Sequence, residues 1–330
     1  MVTWFVGRGP NRLKVLAIIL NYQTTRFTID CLQSLEPEIA AQAEAAVVVV
    51  ENGSSQGAEE DLRRAIAGKA WASWVELIPL ERNLGFTAGN NLAMRRALKS
   101  ADPPEYILLL NSDTIVLPGA IDTLVRFMDE HPSVGIAGSR LEGPGGSVQG
   151  SPFRFQGIAS ELDRGLVMGP FTSIVSRWTA YRQKPSAAAP VDWVAGASMM
   201  LRSAMIANVG LLDERFFAYF EDMDYCLAAR RKGWETWYVP QSRIVHFEGA
   251  SSGVRPDLDT RPPAYWFQAR RRYFLKNGGM LYAILADAAL ITACAIGWLY
   301  AIIRRRNGGS PLLKLKDSIR HSVFVAGLRA

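Results

Sequence analysis

Polar side chains that could hold a metal ion follow short apolar runs at two points of the chain. LLLNSDTIV places Asp113, two residues after Asn111, behind three leucines, and RIVHFEG places His246 after another apolar run. Taken singly, a carboxylate at such a point is most often a helix cap or a turn former. Taken together, carboxylates and an imidazole suit Mg²⁺ or Mn²⁺, and the imidazole favours Mn²⁺.

A second group of acids lies in the stretch YFEDMDYC, where Glu221, Asp222 and Asp224 stand close together. Acids are favoured in a first helical turn by the helix dipole, which is one explanation for them. The other explanation is a carboxylate that removes a proton from a substrate hydroxyl. The sequence therefore offers one acidic site suited to a metal ion and another suited to a general base.

Alternating apolar runs and helix-like segments predict the elements that position these residues. The predicted strands are KVLAIILNY, AAVVVVEN, WVELIPL and YILLL, and the predicted helices are TIDCLQSL, EEDLRRAIAGKA, AGNNLAMRRALKS and GAIDTLVRFMDEH. We expect the first helix to stop at Pro37, because proline has no N–H to donate within a helix. The β-α-β-α order predicts an α/β fold with a mostly parallel central sheet flanked by helices.

Ligands of such sheets bind beyond the carboxyl ends of the strands. The polar residues that fall at these ends are Asn21, Tyr22, Glu51, Asn52, Arg82, Asn83, Asn111 and Asp113. We expect the LLL run to be a central strand with Asp113 at its carboxyl end. We expect the apolar residues after Asp113 to begin the next helix.

Residues 141–190 interrupt the alternation with stretches rich in Gly, Pro, Ser and Ala, which we interpret as loops and a short helix over the site. After them, EDMDYCLAARRKG predicts a helix with acids in its first turn, bases in its last turn and Gly233 as its C-cap. The chain has no P-loop and no glycine triad after its first strand, which argues against the usual dinucleotide fold. Its 3 cysteines are far apart, which favours a reducing compartment.

Charge and hydropathy set the C-terminal region apart. Residues 261–330 hold 12 of the 37 Lys and Arg but only 2 of the 31 Asp and Glu. Within that region, residues 280–303 are apolar apart from Asp287, and the basic clusters RRRYF and RRR flank them. This pattern favours association with an anionic membrane surface over a buried core helix. We expect a helix or a bent helical pair that attaches the protein, through residues 270–306, to the cytoplasmic face of a bacterial inner or plasma membrane.

Small residues recur every four positions along the apolar stretch, at Ala289, Ala293, Gly297 and Ala301. Such a face lets another helix approach closely. It therefore predicts a helix–helix contact, with a homodimer as one possible use.

The chain resembles the inverting, nucleotide-sugar-dependent family 2 glycosyltransferases of the GT-A fold, and among them bacterial rhamnosyltransferase-like enzymes of surface polysaccharide synthesis. The resemblance covers residues 14–250. It is carried, in order, by NYQTTRFTIDCLQSL, VVENGSSQG, ERNLGFTAGNN, LLLNSDT, VAGASMMLRS, FFAYFEDMDYCLAARRKGW and VHFEGASS. It implies a GT-A catalytic domain with a C-terminal helical, membrane-associated segment, and an enzyme that moves a sugar from a nucleotide diphosphate to a lipid-linked or saccharide acceptor.

The resemblance also implies residue roles. Asp222 is the implied catalytic base, Asp113 the implied metal ligand and His246 a further metal contact. Three other residues, implied to bind or orient the acceptor or to support the site, are Gly196, Glu221 and Asp224. The implied nucleotide-binding residues are Asn21, Tyr22, Glu51, Asn52, Arg82, Asn83, Gly85, Asn90 and Asn111.

Two positions depart from the pattern of the family. Asn111 stands where a carboxylate is common, which leaves one carboxylate in the metal motif, and Glu51 stands where relatives have aspartate. A carboxylate at Glu51 can accept the N3–H of thymine or uracil, which cytosine lacks. The expected donor is dTDP-rhamnose, with a UDP-linked sugar second, and the expected cofactor is Mg²⁺ or Mn²⁺. A nucleic-acid partner is not expected.

We expect the catalytic domain over residues 1–260, with a nucleotide-sugar-binding half over 14–120 and an acceptor and catalytic half over 121–260, followed by the tail over 261–330. A sugar nucleotidyltransferase is an alternative, but it would carry a glycine-rich basic loop where this chain has NYQTTRF. A non-catalytic, membrane-associated protein that binds sugar nucleotides is the other alternative. The presence of Asp113, Asp222 and His246 argues against it.

Overall fold

The computed structural model describes residues 13–41, 44–55, 57–150, 152–166, 185–249, 261–304 and 309–327. Its strands are β1 (Val15–Asn21), β2 (Ala45–Asn52), β3 (Val75–Leu80), β4 (Tyr106–Asn111), β5 (Thr114–Val116), β6 (Val134–Glu142), β7 (Pro152–Phe153), β8 (Ala189–Pro190), β9 (Trp193–Val194), β10 (Ser198–Arg202) and β11 (Glu235–His246). Its α-helices are α1 (Thr25–Ala41), α2 (Ala58–Gly68), α3 (Gly85–Leu98), α4 (Ala120–Glu130), α5 (Ile158–Leu166), α6 (Ser203–Val209), α7 (Glu221–Arg231), α8 (Ala264–Ile303), α9 (Gly309–Arg320) and α10 (Val323–Ala326).

The predicted central sheet is present and contains nine strands among the described residues. Eight of them run in the order β3-β2-β1-β4-β10-β6-β11-β5, and β8 also pairs with β11. Strands β1 to β4 pair in parallel, as their alternation with helices predicts. Strand β10 runs antiparallel between β4 and β6, and β5 runs antiparallel to β11, so the whole sheet is mixed. The apolar pattern of β10 and β5 predicts neither direction, because direction depends on the connections between strands.

The core lies on both faces of the parallel strands. Residues 46–50 of β2 are fully buried, as are Leu16, Ile18 and Ile19 of β1 and Ile107 of β4. Unbroken runs of Val, Ile and Leu are typical of strands covered by helices on both sides. The prediction that the LLL run is a central strand is confirmed, because β4 lies between β1 and β10.

Helix α1 does not stop at Pro37, contrary to the prediction, and continues to Ala41. Proline removes one hydrogen bond there, but the turns on either side of it bury Leu35 and Ile39. Glu38 adds a polar anchor, because its two carboxylate oxygens accept from the amides of Gly119 at 2.6 Å and Ile121 at 3.0 Å. Tertiary contacts therefore outweigh the local preference of proline.

The apolar residues after Asp113 form a strand, and the prediction that they begin the next helix was wrong. Strand β5 pairs antiparallel with the end of β11, with Thr114 opposite His246. Helix α4 starts only after Gly119, whose φ of 79° lies in the left-handed region. Strand β5 therefore matters for the site, because it brings the end of β11 alongside Asp113.

The described residues group into two compact units. The first comprises Met1–Pro152, Pro185–Phe217 and Glu221–Gly253, and contains the sheet. The second comprises Phe153–Lys184, Ala218–Phe220 and Val254–Ala330. Part of the segment interpreted as loops and a short helix is thus α5 of the second unit. Residues 167–184 of that segment lie outside the described residues.

The second unit is organised around α8, which has a break at Gly279, where φ is 78° and ψ is −179°. Of the two forms expected for the tail, a helix or a bent helical pair, the structure has the bent pair. Its second segment satisfies the length and hydropathy of a membrane-crossing helix, a test that core helices of soluble proteins also pass.

The face of small residues on α8 contacts α5 of the same chain. A methyl group added at Gly165 would lie 2.5 Å from Cβ of Ala293, and one added at Gly297 would lie 2.7 Å from the carbonyl oxygen of Gly165. The predicted close helix–helix contact is therefore present. Because α5 covers Ala293 and Gly297, this part of the face does not provide the homodimer contact suggested by the sequence.

Candidate active site

The ends of three parallel strands place predicted site residues in one row. The register sets Asn21 of β1 opposite Glu51 of β2, and Leu20 of β1 opposite Asn111 of β4. Residues on adjacent parallel strands lie about 4.8 Å apart, so Asn21, Glu51 and Asn111 line the carboxyl edge of the sheet. This is the edge at which ligands bind in α/β sheets.

Glu51 is held in place by groups of the chain itself. Its Oε1 accepts from the backbone N–H of Ser54 at 2.8 Å and from Nδ2 of Asn21 at 3.4 Å. Asn21 is fully buried, and its Oδ1 accepts from the hydroxyls of Thr24 and Thr28. Asn21 therefore orients Glu51 and the turn after β1.

The turn between β3 and α3 is built by two asparagines. Nδ2 of Asn52 donates to Oδ1 of Asn83 at 2.9 Å, and Oδ1 of Asn52 accepts from the amide of Leu84 at 3.0 Å. Gly85 has a φ of 83°, and a methyl group there would lie 2.5 Å from the carbonyl oxygen of Phe217. This tight turn leads into the N-terminus of α3, where backbone amides favour phosphate.

The remaining residues of the nucleotide-binding set differ in accessibility. Arg82 is exposed, and Tyr22 is half-buried. Asn90 is buried, and its Nδ2 donates to the carbonyl oxygen of Phe86 one turn earlier in α3 at 2.8 Å. Asn90 therefore supports the helix, whereas Arg82 is open to solvent.

Asp113 and His246 lie together although they follow different strands. Nε2 of His246 is 3.4 Å from Oδ1 of Asp113 and 3.4 Å from Nδ2 of Asn111. Both side chains are mostly buried, and the backbone amide of Phe247 donates to the carbonyl oxygen of Asp113 at 3.0 Å. The pairing of β5 with β11 thus produces the juxtaposition that the sequence predicts.

This donor set fits one divalent cation. A carboxylate and an imidazole within 3.4 Å of each other suit Mn²⁺, and the amide oxygen of Asn111 is a further neutral ligand candidate. Among the described residues, no group of three or more His, Cys, Asp or Glu side chains converges here. A cation held by Asp113 and His246 would therefore need ligands from a substrate diphosphate and from water, as Mg²⁺ and Mn²⁺ sites commonly have.

The acids of YFEDMDYC occupy the first turn of α7. Oδ1 of Asp222 accepts from the amide of Met223 at 2.7 Å, and its Oδ2 accepts from the amide of Gly196 at 3.2 Å. Glu221 and Asp224 are buried. The predicted C-cap of this helix is confirmed, because Gly233 has a φ of 85° and its amide donates to the carbonyl of Arg230.

Burial raises the pKa of both adjacent acids, Asp222 and Glu221. It raises the pKa of Asp222 to about 6, against the opposing effect of hydrogen bonds from Met223 and Gly196. It raises the pKa of Glu221 well above its usual range, and the charge of Asp222 raises it further. Oε2 of Glu221 is buried and has no hydrogen-bond partner among the described residues. At neutral pH Asp222, with a pKa of about 6, is therefore mainly ionised, whereas burial and that neighbouring charge favour the neutral form of Glu221.

Backbone hydrogen bonds connect Asp222 to the strand that precedes Asp113. The amide of Gly196 donates to Asp222, and the carbonyl of the next residue, Ala197, accepts from the amide of Asn111 at 3.0 Å. A methyl group at Gly196 would lie 3.4 Å from the ring of Phe86 and 3.8 Å from Cβ of Asp222. The loop before β10 thus links the candidate base to the carboxyl end of β4, which the candidate metal ligand Asp113 follows.

Sequence reasoning missed two residues of this site and the backbone conformation of the two residues before Glu221. Gln149 contacts His246, and Gly53 approaches the backbone of Arg82 so closely that a methyl group there would lie 2.3 Å from it. Tyr219 and Phe220, directly before Glu221, both have a positive φ, which is costly for residues with a side chain. The aromatic run FFAYF was the only signal of these last two in the sequence, and it does not predict backbone conformation.

Family comparison assigns the chain to a class of enzyme. The chain belongs to the family described as Glycosyltransferase like family 2, whose family model matches residues 10–272. It is therefore a glycosyltransferase with an α/β fold of the GT-A type, as the sequence predicts.

Individual relatives support the same class. The N-acetylglucosaminyl-diphospho-decaprenol L-rhamnosyltransferase of Mycobacterium tuberculosis is 29% identical over 296 residues, which cover 86% of this chain and 87% of that protein. A mannosyltransferase of Pyrobaculum calidifontis, solved with GDP-Man and Mn²⁺, superposes with a TM-score of 0.53 at 16% identity, over 97% of this chain and 85% of that one. S. aureus TarS, solved with UDP-GlcNAc, superposes with a TM-score of 0.53 at 16% identity, over 94% and 81% of the two chains. The two solved structures show the shared fold.

Proposed function

We propose that this glycosyltransferase transfers rhamnose from dTDP-rhamnose to a lipid-linked or polysaccharide acceptor, with inversion and with a divalent cation. The observation that carries the proposal is the link of Asp222, through Gly196 and Ala197, to the carboxyl end of β4, which Asp113 of the Asp113–His246 pair follows. The name of the M. tuberculosis relative, a rhamnosyltransferase with a diphospho-decaprenol acceptor, supports the choice of sugar and acceptor.

The transfer step needs one base. Asp222 removes the proton of the acceptor hydroxyl as the oxygen attacks the anomeric carbon from the face opposite the departing nucleoside diphosphate. A single displacement of this kind inverts the anomeric configuration. The amides of Met223 and Gly196 hold the carboxylate in one orientation, and burial together with the charge of Asp222 favours the neutral form of Glu221.

The diphosphate leaving group is bound by the other half of the site. Asp113 and His246 would hold the divalent cation, which offsets the charge that grows on the leaving group. The backbone amides at the start of α3 and the exposed Arg82 would bind the phosphates. Glu51, held by Ser54, accepts the N3–H of thymine or uracil. A UDP-linked sugar is thus the second candidate donor.

An assay of transfer tests this proposal. The purified full-length protein, dTDP-rhamnose, Mn²⁺ and a short-chain prenyl-diphosphate N-acetylglucosamine should yield a rhamnosylated product, and UDP-GlcNAc in place of dTDP-rhamnose is the comparison. Proton NMR of the product reports the anomeric configuration. Free dTDP and UDP should inhibit and CDP should not. Faster transfer from UDP-GlcNAc than from dTDP-rhamnose would show that the donor is a UDP-linked sugar. Equal inhibition by CDP would show that Glu51 does not recognise the base.

The second unit offers a surface for a lipid acceptor. Eleven of the twelve exposed large hydrophobic side chains in the described residues belong to this unit; they are Met280, Leu281, Leu285, Ile296, Leu299, Ile302, Ile303, Leu313, Ile319, Phe324 and Val325. Soluble proteins rarely expose so many apolar residues in one region. Exposed bases accompany them in the same unit, at Arg304, Lys314, Lys316 and Arg320. Apolar and basic groups together suit an anionic bilayer surface.

The burial of Asp287 favours attachment in the plane of the membrane over a simple span. Asp287, the one charge of the apolar stretch, forms an ion pair with Arg270, and its Oδ2 accepts from the amide of Val323 at 2.6 Å. Arg270 also donates to Oε2 of Glu161 at 2.8 Å. These contacts tie both segments of α8 to α5 and α10. We therefore propose that the second unit lies on the cytoplasmic leaflet of a bacterial inner membrane.

Vesicle flotation tests the membrane proposal. The full-length protein should float with vesicles containing anionic lipid, less with neutral vesicles, and less at high salt. Replacing Phe324 and Val325 together by serine should weaken binding about tenfold or more, since burial of one large apolar side chain is worth about 1.5–3 kcal/mol. Gln33→Ser, at an exposed position of α1, is the matched control. Unchanged flotation of the double variant would exclude this surface.

A further inference from the structure

Gln149, in the loop after β6, contacts His246 with both ends of its side-chain amide. Its Nε2 donates to the carbonyl oxygen of His246 at 2.8 Å, and its Oε1 lies 3.3 Å from Nδ1 of the His246 ring. Its backbone amide donates to the carbonyl of Leu141 at 2.9 Å, which fixes the loop against β6. Gln149 is thus held at its backbone while its side chain spans the ring and the main chain of one residue.

The short hydrogen bond fixes which way the amide faces. A carbonyl oxygen only accepts, so the NH₂ end of Gln149 must face the carbonyl of His246, and the amide oxygen must then face the ring. A ring nitrogen that faces an acceptor carries the hydrogen. In the neutral imidazole a hydrogen on Nδ1 leaves a lone pair on Nε2.

The two neighbours of Nε2 favour different tautomers of the His246 ring. Oδ1 of Asp113 would accept a hydrogen from Nε2, whereas Nδ2 of Asn111 would donate one to it, and both atoms lie at 3.4 Å. Contacts of that length are weak. The contact of Gln149 with the ring, at 3.3 Å, is of similar length, but the 2.8 Å bond to the main chain holds the amide oxygen against Nδ1, and the donor Asn111 favours the same tautomer.

We propose that Gln149 is a positioning residue that keeps His246 in the tautomer with hydrogen on Nδ1, so that the lone pair of Nε2 points to the cation site shared with Asp113. The inference rests on the proposed function, because it needs a cation at that site. Histidines that ligate metals generally donate their other ring N–H to a fixed partner, and removing that partner costs about 10–100-fold in metal affinity. Gln149 supplies that partner here.

The tautomer is measurable without cation, substrate or turnover. The chain has 3 histidines, so a two-bond ¹H–¹⁵N correlation spectrum of the uniformly labelled full-length protein contains three ring patterns, and His246→Gln identifies the relevant one. The neutral ring of His246 should show a protonated Nδ1 in the wild type. Gln149→Ala should shift the pattern toward protonated Nε2. A protonated Nε2 in the wild type would overturn the inference, and that result does not depend on the folding of Gln149→Ala.

Mn²⁺ binding provides the second readout. Electron paramagnetic resonance of free Mn²⁺ should show affinity about 10–100-fold lower for Gln149→Ala than for the wild type. Gln33→Ala, an exposed glutamine on α1, is the matched control and should bind Mn²⁺ as the wild type does. Thermal melting checks that both variants fold.

The two proposals fail in different ways. Equal Mn²⁺ affinity in the wild type and in folded Gln149→Ala would overturn the role of Gln149 and leave the proposed metal site intact. No Mn²⁺ binding by the wild type, with the donor diphosphate present or absent, would overturn the metal site and this inference with it.

Discussion

The amide nitrogen of Gly196 lies 3.2 Å from Oδ2 of Asp222, on the far side of the carboxylate from the amide of Met223. These two donors favour the charged carboxylate, whereas burial favours the neutral acid, and the result is a pKa of about 6. A base with a pKa just below the working pH is ionised and still basic enough to take a proton. The contact between Gly196 and Asp222 is therefore central to the proposed chemistry.

Asp222→Asn should lower the rate of transfer by about 100-fold or more, because the amide cannot accept the acceptor proton. It should lower the free energy of unfolding by only about 1 kcal/mol, since an amide offers one oxygen where the carboxylate offers two. Transfer rate, melting temperature and dTDP affinity measure the three consequences. Asp192→Asn, which removes a half-exposed ion pair with Arg230, is the control. Turnover like that of the wild type would remove Asp222 from the mechanism.

The rate of transfer should rise with pH through about 6, the pKa of Asp222. Below that pH the carboxyl is protonated and cannot act as base, so the rate should fall about tenfold per pH unit. The profile of kcat/KM between pH 4.5 and 8 measures it, with melting temperatures recorded at each pH to exclude unfolding. A flat profile across this range would contradict the assignment of the base.

Glu221→Gln should raise stability at pH 8 more than at pH 5. The pKa of Glu221 is raised in the folded protein by burial and by Asp222, so the folded state binds a proton that the unfolded chain releases above its usual pKa of 4.5. The wild type thus loses stability as pH rises above 4.5, and glutamine removes that loss. The gain in melting temperature at pH 8 should be about 2 °C or more. A gain that does not grow with pH would mean that Glu221 is ionised in the folded protein.

The parts of this structure that the sequence could predict are those with local signals. Apolar runs located β1, β2, β3 and β4, and the alternation with helices predicted their parallel pairing. The same logic placed Asn21, Glu51 and Asn111 at one edge, because the carboxyl ends of neighbouring parallel strands meet there. Local patterns sufficed because β1, β2 and β3 pair in chain order and β4 adds to the free edge of β1.

The parts that could not be predicted depend on contacts between distant segments. Helix α1 continues through Pro37 because Glu38 caps α4, and no signal near Pro37 indicates that contact. The run of three residues after Asp113 is too short and too apolar to distinguish a strand from the start of a helix. The ion pair of Asp287 with Arg270 lies between the two segments of α8, so the charge that looked out of place in an apolar stretch is satisfied by a residue outside it.

Excess EDTA should abolish transfer, and Mn²⁺ or Mg²⁺ should restore it, because a growing charge on the diphosphate needs a cation or an equivalent donor. Asp113→Asn should weaken Mn²⁺ binding, measured by calorimetry, by about tenfold or more, since it removes the charged ligand of the pair. Asp122→Asn, on the exposed face of α4, should leave it unchanged. Full activity in excess chelator would show that the reaction proceeds without a divalent cation.

Asp287→Ala should destabilise the full-length protein by about 3–5 kcal/mol, because it leaves the buried guanidinium of Arg270 with Glu161 as its remaining acid and deprives the amide of Val323 of its acceptor. Asp122→Ala breaks an exposed pair with Arg126 one turn along α4 and should cost about 0.5 kcal/mol or less. Urea unfolding measures both.

Replacing both Arg270 and Asp287 distinguishes the contribution of the ion pair to stability from that of the apolar packing around it. A buried ion pair is often replaceable by apolar residues of similar volume at little cost, whereas the loss of one partner is not. The double variant Arg270→Met with Asp287→Leu should therefore recover most of the stability that Asp287→Ala loses. If the double variant is as unstable as Asp287→Ala, then the hydrogen bonds to Val323 and Glu161, and not the neutralisation of charge, hold α5, α8 and α10 together.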